Sequence, residues 1–335
     1  MRVPNEGRGE SAVEKQVLVT GGAGYVGSLL VDELLRRGNR VRVLDALVHG
    51  VVPSLLTAWG DPAFEFVRGD IRDAEARAVA LKDVDAVVHL AAIVGDPACA
   101  REPELAREVN LEATKRLVDD ATRAGVDRFV FASTCSNYGK RDNGSLAKEE
   151  DALKPVSLYA ETKVAAELDL LSRNGAGPRV ATCLRFATVY GTSPRMRFDL
   201  TVNEFTREVA LGRELVVFGE QFWRPYVHVR DVAEAVAMTL DAAPEAVAGQ
   251  VFNIGGTREN YRKLDIVKLL EERFDGPAVR FVHKNEDPRD YRVSFEKVRA
   301  AIGFEVGRTV GSGIDEVASL VRTNIVDPYD ALYRN

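Results

Sequence analysis

Three side chains in the middle of the chain have the types and spacing to move a proton. Tyr159 and Lys163 are four residues apart in a stretch, 157–172, that reads as a helix, so they share one face. Thr134 stands just beyond an apolar run, 127–132, and 25 residues before the tyrosine. A phenol titrates near ~10 when unperturbed. A neighbouring ammonium favours the phenolate, so Tyr159 can take a hydroxyl proton near neutral pH, with Thr134 sharing and orienting that proton. Taking the proton of a carbinol is productive when the carbon's hydride leaves too, and a hydride needs an acceptor.

The acceptor is suggested near the N-terminus. The apolar run Val17-Leu18-Val19 leads into Thr20-Gly21-Gly22-Ala23-Gly24-Tyr25-Val26-Gly27, with glycines in GxxGxxG spacing between a strand and a helix. Gly21 permits the tight turn, Gly24 lets the backbone approach a pyrophosphate, and Gly27 packs the helix on the strand; Tyr25 and Val26 lie in the same turn. Asp45 ends the second predicted strand. A carboxylate there accepts hydrogen bonds from ribose hydroxyls and repels a 2′-phosphate, which selects NAD over NADP. Asp70 and Ile71 follow the third strand and suit the adenine edge. Leu90, Ala91 and Ala92 end the fourth and leave room for the cofactor. Lys163 would also hold the nicotinamide ribose.

These residues need a scaffold, and the pattern supplies one. Strands are predicted at 15–20, 40–45, 64–68, 85–90, 127–132 and 179–185, with helices at 25–37, 103–124 and 157–172 between them. Such alternation gives an α/β fold, a Rossmann-type doubly wound parallel sheet. Residues 16–190 form the cofactor domain, with 228–254 returning to it. A smaller α/β lobe, 191–227 and 255–335, would bind substrate. Residues 1–15 read as a disordered tail without the apolar core of a signal peptide. A net charge of −6 gives no support to a nucleic-acid partner. No apolar run reaches membrane-spanning length. The three cysteines are scattered, and the four histidines lack metal-ligand spacing. A reduced, cytoplasmic protein without a metal site is expected.

Together these stretches resemble the extended short-chain dehydrogenase/reductase family, in particular its NAD-dependent epimerase/dehydratase group acting on nucleotide sugars. The resemblance spans about residues 16 to 325. Besides the motifs above it rests on His89-Leu90-Ala91-Ala92, Asn110, Ser133-Thr134, Tyr138-Gly139, Arg185, Val189-Tyr190-Gly191, Arg224 to Asp231 and Phe252 to Gly256. It implies that Asn110 and Ser133 belong to the cofactor site, and that Arg224 meets a substrate diphosphate, for which a guanidinium fork is suited. It places Ser136, Thr188, Asn203 and Phe205 near the sugar nucleotide, with Arg289 and Arg292 as further phosphate or ribose contacts. It also implies a homodimer through a four-helix bundle of 103–124 and 157–172, for which Leu117, Val118, Leu168 and Leu171 are the apolar candidates.

The chain departs from the family's patterns in three places. Thr188 stands where many members carry Asn. Asp287-Pro288-Arg289-Asp290 replaces Arg-Pro-Gly-Asp. The 4,6-dehydratases follow their threonine with Asp-Glu, an acid and a base for eliminating water; here Cys135-Ser136 follow Thr134. Cys135 is a candidate thiol acid/base, with a small buried residue as its other reading. The expected activity is epimerisation of a nucleotide-linked sugar by transient oxidation. A 4-keto reductase or dehydratase on the same scaffold stays open, as does a non-catalytic NAD sensor.

Overall fold

The computed structural model describes residues 15–50, 53–141, 144–173, 175–284 and 290–335. The predicted tail, up to residue 14, and Arg289 therefore lie outside the described residues.

Seven short, mostly apolar segments form one parallel sheet: β1 (Gln16–Thr20), β2 (Arg40–Asp45), β3 (Phe64–Arg68), β4 (Ala86–His89), β5 (Arg128–Thr134), β6 (Val180–Phe186) and β7 (Gln250–Ile254). The spatial order is β7-β6-β5-β4-β1-β2-β3, and every pairing is parallel. Val17, Leu18 and Val19 of β1 and Ala86, Val87 and Val88 of β4 are all 0% exposed. Continuous apolar strands of this kind belong to sheets covered by helices on both faces. The chain order reverses between β1 and β4, and a ligand crevice forms at the carboxyl ends of strands at such a point. The glycine turn after β1 opens there.

On one face lie α1 (Gly27–Arg36) and, packed against it, α4 (Val229–Asp241); on the other lie α2 (Thr114–Arg123) and α3 (Leu158–Ser172). Ser157 caps α3, its side chain accepting from Ala160 N. The expected helix 103–124 is interrupted. Residues Glu108–Ala113 form a π turn between Pro103–Arg107 and α2, a feature often found at functional sites. Helix α1 begins two residues later than predicted, because Tyr25 and Val26 belong to the turn. Short helices at Ala74–Ala80 and Asp96–Arg101 were not anticipated.

The remaining segments build small sheets beyond the strand ends. Trp223–His228 pairs with Thr188–Tyr190 and Asn260–Arg262, and Leu215–Phe218 pairs with Val279–Val282. Helices Thr201–Ala210, Lys263–Glu271 and Val310–Arg322 pack around them with their own apolar cluster.

Two of the proposed interface leucine/valine positions need correction. Leu117 and Val118 are 0% and 1% exposed and belong to the core beneath α2, so they cannot meet a partner. Leu168 on α3 faces outward, 57% exposed, and Leu171 is half-buried.

Candidate active site

At the carboxyl ends of the strands lies a cavity of about 410 Å³, within the range of small-molecule sites. The glycine turn forms one wall. Gly21 has φ +73°, and a Cβ there would lie 2.7 Å from Ala91 N. A Cβ on Gly27 would lie 2.3 Å from Gly21 O. Side chains at either position would disrupt the turn. A Cβ on Gly24 would meet only Gly21 O, at 3.1 Å, so this glycine leaves its other side open. Val26, at the N-cap of α1, offers no capping side chain; Ser28 N donates to Gly24 O at 3.0 Å, and the positive end of the helix, with Val26 and Gly27 on the cavity wall, suits an anionic ligand.

Asp45, Asp70, Ile71, Leu90, Ala91 and Ala92 line the cavity with Gly21, Gly24, Tyr25, Val26 and Gly27. Asp45 accepts from Ala23 N at 3.0 Å and Leu47 N at 2.8 Å. Burial nevertheless raises its pKa. Asp70 is paired with Arg72 at 2.8 Å, which holds its carboxyl below the usual range.

Thr134, Ser133, Ser136, Tyr159, Lys163 and Thr188 line the same cavity. Thr134 and Tyr159 stand on the same wall of the cavity, and Thr134 Oγ1 accepts from Ser136 N at 3.1 Å. Desolvation raises the tyrosine's pKa, with Cys99 and Asp96 adding to the effect and Arg197 opposing it. The expected lowering by Lys163 does not occur. The Lys163 ammonium instead donates to Ala132 O at 2.8 Å and lies 4.8 Å from the Phe131 ring centroid. The protein's own groups therefore keep Tyr159 a phenol at neutral pH.

Cys135 is turned away from the cavity. It is 0% exposed, and its thiol donates to Arg185 O at 3.2 Å. Burial pushes its pKa well up. A thiol without access to the cavity cannot exchange a proton with a sugar, which corrects the acid/base expectation. Ser136, one residue on, faces the cavity instead.

Five other expected contacts do not line it. Asn110, in the π turn, accepts from Ile93 N at 2.8 Å and donates to Ile93 O at 2.9 Å, so it pins the loop after β4. Asn203 is 0% exposed and ties Gly191, Arg197 and Tyr25 together. Phe205 is packed in the apolar cluster of the smaller sheets. Arg224 lies behind Tyr291, its guanidinium 5.7 Å from that ring's centroid. Arg292 donates to Gly144 O and lies 5.1 Å from the Trp223 ring centroid. Cavity residues absent from the sequence reading include Arg195, Arg197 and Tyr291.

Comparison with known proteins agrees with this architecture. Residues 17–255 match the NAD dependent epimerase/dehydratase family. The chain belongs to that family. It is 32% identical to a dTDP-glucose 4,6-dehydratase of Actinoplanes sp., over 92% of this chain and 98% of that one. It is 29% identical to a UDP-glucose 4-epimerase of Lactobacillus helveticus, over 87% of this chain and 91% of that one. The Thermus thermophilus UDP-glucose 4-epimerase, solved with NAD, superposes with a TM-score of 0.81 at 29% identity, covering 92% of this chain and all of that one.

NAD is the cofactor of this epimerase/dehydratase family, and the residues present fit it. The glycine cradle, the N-terminus of α1 and Asp45 at the end of β2 are the groups a dinucleotide requires. When bound, NAD supplies the hydride acceptor and donor. The protein's part is to hold it and to manage the proton.

Lys163 shows what that arrangement costs. Burial lowers its pKa to about 8 from 10.5. Below pH 8 both folded and unfolded chains carry the charge, and the fold bears a penalty on the order of 3 kcal/mol. As pH rises from about 8 to 10.5 the unfolded chain binds a proton that the native state does not, so this group's contribution becomes less unfavourable. Replacing Lys163 by Met removes the penalty but leaves Ala132 O without its charged donor, a loss of about 1–3 kcal/mol, so the two nearly offset at pH 7. Wild type gains stability between about pH 8 and 10.5 and the variant does not, so Lys163→Met is expected to fall behind wild type in denaturant midpoint as pH rises towards 10, and to lose turnover. A loss of stability that is constant with pH would overturn this account of the lysine.

Proposed function

We propose that this chain epimerises a nucleotide-linked sugar by transient oxidation at a carbinol carbon. The observation that carries the reading is the Thr134–Tyr159–Lys163 arrangement facing the cavity, with Cys135 and Ser136 where a dehydratase of the family carries its carboxylate pair. The positive charge of oxidised nicotinamide would favour the phenolate against the raised pKa of Tyr159; as phenolate Tyr159 accepts the carbinol proton, and as phenol it donates one when the ketone is reduced. Thr134 orients that oxygen. The keto-sugar turns over before reduction, so its other face is presented. The relatives named as epimerases support this reading, and the dehydratase relative keeps elimination as the second one.

The test is to incubate the purified protein with UDP-glucose and with dTDP-glucose in heavy water, without added NAD, and to follow both by NMR. The expected result is many turnovers to an epimer that carries no deuterium at the inverted carbon. Release of water to give a 4-keto-6-deoxy sugar would replace this reading by the dehydratase. Stoichiometric consumption of added NADH or NADPH would replace it by the reductase.

The smaller sheets and their helices, residues 191–227 and 255–335, serve in this reading as the sugar-nucleotide lobe. A homodimer is also part of it, with Leu168 and Leu171 of α3 at the interface. Light scattering at micromolar concentration should give twice the chain mass; a monomer mass would remove the dimer. Among the described residues no helix is long and apolar enough to cross a membrane. A cytoplasmic setting suits three free, buried cysteines, and cell fractionation would check it.

A further inference from the structure

The segment after Tyr190 carries two arginines into the cavity, and they are not equivalent. Arg197 has a counter-ion, Asp199, at 2.5 Å. Arg195 is 3% exposed, yet among the described residues no carboxylate lies within ion-pair distance of it. Its hydrogen bond goes to a neutral group, Arg334 O, at 2.8 Å. Asp199 and, more weakly, Asp45 are close enough to feel its charge, but Asp199 is paired with Arg197 and Asp45 is already occupied by two backbone amides. A guanidinium removed from water without a counter-ion is costly. Its position on the cavity wall lets a ligand supply the missing anion.

The surrounding bonds say which ligand. Tyr25 OH donates to Gly191 O at 2.6 Å, and Ser193 Oγ donates to Tyr25 O at 2.6 Å. The Ser193 and Ser28 hydroxyls lie 3.0 Å apart. Asn203 adds bonds to Gly191 N and Arg197 O. Residues 191–197 are thus fastened to the glycine turn and the first turn of α1. From the other side, Tyr333 O accepts from Phe198 N at 2.9 Å, its ring meets Phe198 edge-on, and Asn335 reaches the cavity wall.

We propose that Arg195 is a second phosphate contact for the dinucleotide, neutralising its pyrophosphate beside the α1 amides, and that residues 328–335 form a strap that positions it. The proposal rests on the NAD assignment of the family.

The experiment is calorimetric titration of wild type and Arg195→Gln, each first freed of any copurified dinucleotide, with NAD, ADP-ribose, UDP and dTDP, with a melting curve of each protein alone. Losing one charge-assisted contact should weaken NAD and ADP-ribose by about 10- to 100-fold and leave UDP and dTDP unchanged. Because the variant removes an uncompensated charge, it should melt no lower than wild type without ligand. A second variant, Tyr333→Ala, should speed NAD dissociation several-fold in stopped flow, since it loosens the strap with Arg195 in place. Unchanged ADP-ribose affinity in Arg195→Gln would overturn the proposal, as would weakened UDP or dTDP binding alone, which would assign the arginine to the substrate. A melting point well below wild type would make Arg195 a structural group tied to Arg334. Unchanged NAD dissociation in Tyr333→Ala would overturn the strap. Failure of wild type to bind either NAD or ADP-ribose would overturn the cofactor assignment and this proposal with it.

Discussion

Tyr159→Phe should keep the fold and NAD binding and lose turnover by about 10²- to 10⁴-fold, the scale of a lost general acid–base. The change deletes one oxygen. The ring remains in its place on α3, and the Thr134 hydroxyl keeps its bond from Ser136 N at 3.1 Å, so the cost is about 1 kcal/mol at most. Stability is therefore nearly preserved while the proton path is removed. A water drawn into the gap would have to serve as both acid and base without the positioning that Thr134 and the helix give the phenol. Single-turnover and steady-state rates on the sugar nucleotide that proves to be the substrate, with NAD binding and melting measured alongside, check it. Near-normal turnover would remove Tyr159 from the proton path, and a collapsed melting curve would make its role structural.

What could be read from the sequence was whatever depends on local spacing. The glycine turn, Asp45 after an apolar strand and the i, i+4 Tyr/Lys pair are each fixed by their own neighbours, and the structure brings them to one cavity. Two misplaced residue sets were also legible in principle. Leu117 and Val118 sit with Thr114 and Ala121 on the i, i+3, i+4, i+7 stripe that α2 buries, and Val202, Phe205 and Val209 form a similar stripe. Helical period alone assigns both sets to packing. Cys135 was harder. The chain leaves β5 in a 3₁₀ turn, Cys135–Tyr138, where a strand pattern no longer tells which side a residue faces; Cys135 lies buried and Ser136 lines the cavity. Arg195 and Asn203 were beyond a local reading. Neither lies in a periodic pattern that marks it as functional, and Asn203 finds Tyr25 across 178 residues of chain. Long-range side-chain bonds of this kind leave no spacing to recognise.

The largest stability effect is expected beneath the site, at Glu167. Its side chain is 1% exposed and pairs with Arg185, 4% exposed, at 2.5 Å. The pair does not stand alone. Ser133 Oγ donates to Glu167 at 2.7 Å, Arg185 donates to Tyr138 OH at 2.8 Å, and Tyr138 OH donates to Asn253 Oδ1 at 2.7 Å. The network therefore joins α3, β5, β6 and β7 immediately behind Ser133 and Thr134. Glu167→Ala leaves a buried guanidinium without its counter-ion, and breaking such a pair costs about 3–5 kcal/mol. Removing both charges with residues of similar volume, Glu167→Leu with Arg185→Met, avoids the uncompensated charge and should cost clearly less than the single change. Denaturant midpoints of the single and double variants read this directly. The double variant should still turn over more slowly than wild type, because Ser133 loses its acceptor at the end of β5, next to the threonine that orients the sugar oxygen. A double variant as unstable as Glu167→Ala would mean that packing around these side chains, and not the ion pair, holds the strand ends together.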